Sequence, residues 1–204
     1  MSLTFMLSTL ADTLRPGEHT LRDRKFVVSL PSILPSLVPT PVMICLHGNG
    51  GDGQQMVHRV ADSIPELAQH YIIIGPDGTK RSWNVKGEYS TEDDQRFIGR
   101  TLLAHLASFE NVQPTFVLFG FSNGAALVNR IMIENDDARI THSITVSSQL
   151  NAYQYRDGNF YVGGEDNTYT EIKRRLTRRH GERRSDPERA RQSRHACCLA
   201  AHLC

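Results

Sequence analysis

Three stretches of this chain are apolar without interruption: "VMICLHG" (Val42–Gly48), "YIIIGPDG" (Tyr71–Gly78) and "TFVLFGFSNG" (Thr115–Gly124). A strand with one wet face alternates apolar and polar residues, because successive side chains point to opposite sides. Runs that do not alternate must be buried on both faces, as in a parallel sheet covered by helices. "SITVSS" (Ser143–Ser148) reads as a fourth run and "NFYVGGED" (Asn159–Asp166) as a fifth. "KFVVSLP" (Lys25–Pro31) reads as a strand ended by proline, and the three prolines of "SILPSLVPTP" mark a connector. Helical patterns fill the gaps. Gln54–His70 is amphipathic, with Pro65 breaking or kinking it. Asp93–Phe109 places Phe97, Leu102, Leu103 and Leu106 at helical spacing, and Asn123–Asn135 does so with Leu127, Val128 and Ile131. This alternation predicts an α/β fold with a mostly parallel central sheet and helices on both faces.

The 204 residues suit one compact domain. The net charge of +1 conceals an asymmetry: Lys173–Arg194 holds ten Lys/Arg against three Asp/Glu, leaving 13 basic and 19 acidic residues before it. The expected organisation is a folded domain over 1–170 and a basic tail over 171–204, disordered or helical. The tail reads as solvated rather than as a nucleic-acid surface. Its last segment, "HACCLAAHLC", matches none of the usual zinc spacings, so no metal is expected. No signal peptide or apolar span of about 18 residues is evident, and the four cysteines form no disulfide framework. The expectation is a cytoplasmic protein without a membrane partner.

"GFSNG" (Gly120–Gly124) is G-x-S-x-G, set directly between an apolar strand and an amphipathic helix. In such a strand–turn–helix the serine takes a strained backbone conformation, and glycines two residues either side avoid clashes. Ser122 is the candidate nucleophile, standing where a helix N-terminus presents free N–H groups.

The glycines of "LHGNGGDGQQ" (residues 46–55) admit two readings. Gly48, Gly50 and Gly53 spell the G-x-G-x-x-G of a dinucleotide-binding turn, for which Asp77 would be the acidic residue. The same residues spell His-Gly-x-Gly-Gly, a loop that offers backbone N–H groups to an oxyanion. The dinucleotide reading leaves Ser122 without work, so the oxyanion reading is preferred. One donor is then Asn123, next to the serine; the other is Asn49 or Gly50. His47 is expected to support the loop.

A base and an acid should follow the serine in chain order. Asp166 lies in a turn after the fifth run, with Glu165 and Asp157 as alternatives. His195 has the best spacing for the base; His180 and His202 also qualify by order.

Together, "LHGNGGDG", "GPDG", "RSWN" (Arg81–Asn84), "DDQRFI" (Asp93–Ile98), "GFSNGAAL" and "VGGEDN" resemble, in order and spacing over about residues 25–167, α/β-hydrolases of the polyhydroxybutyrate depolymerase and feruloyl esterase type. The resemblance implies an α/β-hydrolase-like fold and a cofactor-free serine carboxylesterase acting on a small-molecule or polymeric ester. Ser122 would be its nucleophile and Asp166 its acid, with Trp83 binding substrate at the entrance to the acyl site. After about Thr170 the sequence departs from the family pattern: Arg-rich sequence stands where relatives continue into a last strand and a histidine loop. A divergent or truncated C-terminus lacking the last strand is expected. The alternative function is a catalytically impaired binding protein of the same fold.

Overall fold

The computed structural model of the chain describes residues 12–33, 38–85, 88–148, 155–156 and 159–160. The basic tail, the domain boundary near 170, the last-strand region, Asp166 with its alternatives Glu165 and Asp157, and all three candidate base histidines lie outside them.

Six strands form the main sheet in the order β1-β2-β4-β3-β5-β6. β1 (Gly17–Leu21) and β2 (Arg24–Ser29) make an antiparallel hairpin, and β2 runs antiparallel to β4 (Ile72–Pro76). From β4 inward the sheet is parallel: β4 pairs with β3 (Thr40–Leu46), β3 with β5 (Val112–Phe121), and β5 with β6 (Ile140–Val146). The sheet is therefore mixed but mostly parallel. β1 carries too many polar residues to show an apolar run, and its pairing with β2 places it.

The central strand explains the uninterrupted runs. Val42, Ile44 and Leu46 of β3 enter one apolar cluster with Phe116, Leu118, Leu127 and Ile131. Met43 and Cys45 enter another on the opposite face, with Met56, Val57 and Val60. That second face is covered by α1 (Gly53–Ser63), whose first turn is capped by the Asp52 carboxylate accepting from Gln55 N–H at 2.8 Å. Pro65 does end this helix: α2 (Pro65–His70) starts anew with the proline in its first turn, where a missing N–H costs nothing. The first face is covered by α5 (Asn123–Glu134) and by a continuous helical segment, α3 (Asp94–Arg96), a π-helical stretch Phe97–Leu102 and α4 (Leu103–Leu106).

Two elements differ from expectation. Thr141, His142, Ser143 and Thr145 of β6 are exposed, because β6 is the outermost strand of the described sheet and lacks a neighbour on one side. Within the described part of the fifth run, β8 (Asn159–Phe160) pairs antiparallel with β7 (Tyr155–Arg156) in a separate ribbon. No helix among the described residues is long and apolar enough to cross a membrane.

Candidate active site

The site lies where β3 and β5, neighbours in the sheet, reach their C-terminal ends. Ser122 falls between β5 and α5 with φ 52° and ψ −114°, a conformation L-residues avoid. The packing around it enforces this bend. A Cβ built at Gly120 would lie 2.6 Å from Ala125 Cα, and one at Gly124 would lie 2.4 Å from the Leu46 carbonyl oxygen. Only glycine lets the helix start press this closely on its own strand and on β3. Ser122 N–H donates to Val146 O at 2.9 Å, anchoring the bend to β6.

Although Ser122 precedes the first residue of α5, its side chain makes no capping hydrogen bond. Its hydroxyl has no hydrogen-bond partner among the described residues, and the residue is half-buried. The Asn123 N–H likewise donates to no acceptor among them, as expected for the open first turn of a helix.

The glycine loop passes directly beside this turn. A Cβ at Gly48 would lie 3.4 Å from Ser122 Cβ and 3.2 Å from the Phe121 ring. Of the two amides proposed for the loop, the Gly50 N–H is already committed: it donates to the Arg81 carbonyl at 2.8 Å. This corrects the expectation for Gly50, whose φ of +78° serves to turn that amide away toward residue 81. Gly51 N–H donates back to Gly48 O at 3.0 Å. The Asn49 N–H has no acceptor among the described residues.

His47 is buried, and both ring nitrogens are used. Nε2 accepts from Gly78 N–H at 3.0 Å, so the ring proton sits on Nδ1, which donates to Gly48 O at 2.7 Å. Burial lowers its pKa below the ordinary 6.5, against the raising effect of the Gly48 carbonyl. The ring is thus a neutral strut between the glycine loop and the turn after β4.

Trp83 is 0 % exposed. Its indole N–H donates to the His47 carbonyl at 2.8 Å and its ring packs 4.8 Å from the imidazole. The expectation of an entrance residue is corrected: with no exposed surface, the indole supports the loop from below. The Asn123 side chain holds the Trp83 backbone, accepting from its N–H at 2.7 Å and donating to its carbonyl at 3.1 Å.

Two contributors, Arg81 of "RSWN" and Asp94 of "DDQRFI", lie in motifs the sequence displayed without revealing their roles. Arg81 donates from Nε to the Gly50 carbonyl at 2.7 Å, so residue 81 grips Gly50 at both ends. Asp94, fully buried, pairs with Arg24 and accepts from Asn84 N–H at 2.7 Å and Ser90 Oγ at 2.8 Å. Arg24 also donates to Asp77 O and lies 4.1 Å over the Phe97 ring. This network fastens the segment after Trp83 to the rest of the fold. Its sequence trace was the motif "DDQRFI", which marked the segment without showing that Asp94 meets Arg24.

Asp77, the acidic residue of the dinucleotide reading, accepts from Gly53 N–H at 2.7 Å. Its carboxylate ties the start of α1 to the end of β4. No group of three or more His, Cys, Asp or Glu suited to hold a metal occurs among the described residues.

A mostly parallel sheet, a strained serine between a central strand and a helix, and a glycine loop from the adjacent strand define an α/β-hydrolase-like architecture. No protein-family model matches the chain, and no curated protein sequence matches it. Among solved structures it is similar to a poly(aspartic acid) hydrolase from Sphingomonas sp. KT-1, with 18% identity and a TM-score of 0.49 over 64% of this chain and 56% of that one. It is also similar to the poly(3-hydroxybutyrate) depolymerase LpqC from Bordetella parapertussis, with 20% identity and a TM-score of 0.48 over 63% and 51%. A Bacillus cereus carboxylesterase gives 18% identity and a TM-score of 0.44 over 60% and 58%. The match thus spans little more than half the length of each of these proteins.

Proposed function

We propose that the chain is a serine carboxylesterase. The observation that carries this reading is Ser122: a strained residue whose hydroxyl, like the nearby N–H groups of Asn123 and, on the adjoining loop, Asn49, has no hydrogen-bond partner among the described residues. Strain of this kind costs on the order of 1–3 kcal/mol and persists where the surroundings over-determine it, which is characteristic of functional sites.

In the proposed reaction Ser122 Oγ attacks the ester carbonyl while a histidine takes its proton, with His195 the proposed base and Asp166 its orienting carboxylate. The carbonyl oxygen becomes an oxyanion that accepts from the amides of Asn49 and Asn123. The C–O bond to the alcohol then breaks, the alcohol leaves with the histidine's proton, and an acyl-serine remains. Water attacks that ester by the same route, releasing the carboxylic acid and regenerating the serine. Each oxyanion donor is worth about 3 kcal/mol in sites of this type. No step calls for a cofactor.

The test is labelling with a fluorophosphonate, followed by peptide mapping. The expected result is a single adduct on Ser122 that is lost in Ser122→Ala. Folded protein that carries no adduct overturns the reading. His195→Ala, compared with His180→Ala and His202→Ala, then identifies the base by the variant in which labelling slows by several orders of magnitude.

A further inference from the structure

Residues 78–83 form a tight turn with a costly backbone. Lys80 and Arg81 are consecutive non-glycine residues at φ 55° and 58°, in the left-handed region. That conformation is unfavourable for each, so something must hold it. What the turn holds in return is the glycine loop. Gly78 N–H donates to His47 Nε2, Trp83 Nε1 donates to His47 O, and Arg81 engages Gly50 through both its carbonyl and its guanidinium. The guanidinium then reaches Asp52, the cap of α1, at 3.3 Å. The Gly50 N–H bonded to Arg81 O sets the 49–50 peptide and the guanidinium on Gly50 O sets the 50–51 peptide, while the Asn49 N–H, one peptide earlier in the same loop, has no acceptor among the described residues.

Resting on the serine esterase reading above, we propose that Arg81 is a positioning residue: its side chain holds the Gly50 carbonyl, and with it the course of the loop, so that the Asn49 N–H serves the oxyanion of the Ser122 reaction. The Arg81 side chain is 57% exposed and its polar partners among the described residues are the Gly50 carbonyl and Asp52, so its contribution to the fold is small while its contribution to loop geometry is specific. It acts through Gly50 and needs no contact with substrate.

The experiment compares wild type, Arg81→Gly and Arg81→Lys. Glycine removes the guanidinium and at the same time relieves the left-handed backbone. Arg81→Gly should therefore melt at or above the wild-type temperature yet react with fluorophosphonate, and turn over p-nitrophenyl acetate, about 10- to 100-fold more slowly in kcat, because a small misplacement of a catalytic donor has effects of this size. KM should stay within about twofold. Arg81→Lys, which keeps one donor for Gly50 O, should recover part of the loss. Three results overturn the proposal: an Arg81→Gly rate equal to wild type, a rise in KM with unchanged kcat, or a rate loss matched by a fall in melting temperature. Failure of the wild type itself to label at Ser122 refutes the underlying esterase reading and is distinguishable from all three.

Discussion

The Asn123 amide and the Trp83 backbone form a reciprocal pair: Trp83 N–H donates to Asn123 Oδ1 at 2.7 Å and Asn123 Nδ2 donates to Trp83 O at 3.1 Å. Through it, the residue following the candidate nucleophile is bonded to the segment that supports the glycine loop. The two halves of the proposed oxyanion site therefore share one scaffold. Asn123→Ala should destabilise the fold by about 2 kcal/mol, since it leaves two partly buried backbone groups unpaired. Urea denaturation checks this. Asn123→Asp keeps the acceptor for Trp83 N–H but sets a carboxylate oxygen against Trp83 O, so it should recover little of that loss.

Glycine substitutions should separate packing from backbone conformation. Gly124→Ala places a methyl 2.4 Å from Leu46 O and 2.6 Å from His47 O, both main chain. The elbow must move off β3, at a cost of about 1–3 kcal/mol and with loss of Ser122 labelling. Gly50→Ala meets no atom within 4 Å but must adopt φ +78°, which costs about 1 kcal/mol. Thermal melts of the two variants, with labelling rates, should show the first far more damaging to reactivity than its stability loss alone implies.

The pH dependence follows from His47. Its pKa in the fold lies below 6.5, mainly through burial, and the neutral ring is the form that accepts from Gly78. The unfolded chain takes up a proton as pH falls through 6.5 while the fold resists. Stability is thus full above that pH and declines below it, by up to about 1.4 kcal/mol per unit for one proton, until the folded pKa is reached. Unfolding free energies at pH 7.5, 6.5 and 5.5 should show the decline, and His47→Gln should flatten it. His105, also lowered chiefly by burial, adds a slope of the same sign that survives in the variant.

The Arg24–Asp94 pair should behave as a buried charge pair. Asp94→Asn alone leaves the Arg24 guanidinium uncompensated, and Arg24→Met alone leaves the carboxylate so; each should cost about 3–5 kcal/mol. The double variant should cost clearly less than the sum. An additive double-mutant cycle in chemical denaturation would disprove the coupling.

Much of the architecture was legible in the chain itself. Uninterrupted apolar runs arise only where both faces of a strand are covered, and β3 sends alternate residues into two cores as that rule requires. The bend at Ser122 was legible too, because the two glycines it needs are sequence neighbours of the serine. What the tertiary structure alone decided concerns pairs far apart in sequence. The Gly50 N–H finds its acceptor on Arg81, Trp83 is placed by His47 and Asn123, and the segment after Trp83 is anchored by Arg24 and Asp94. Apolar periodicity and glycine sterics act over a few residues, so a linear reading detects them. Which amide finds an acceptor depends on where the chain returns after 30 or more residues, and that is set only when the sheet has assembled.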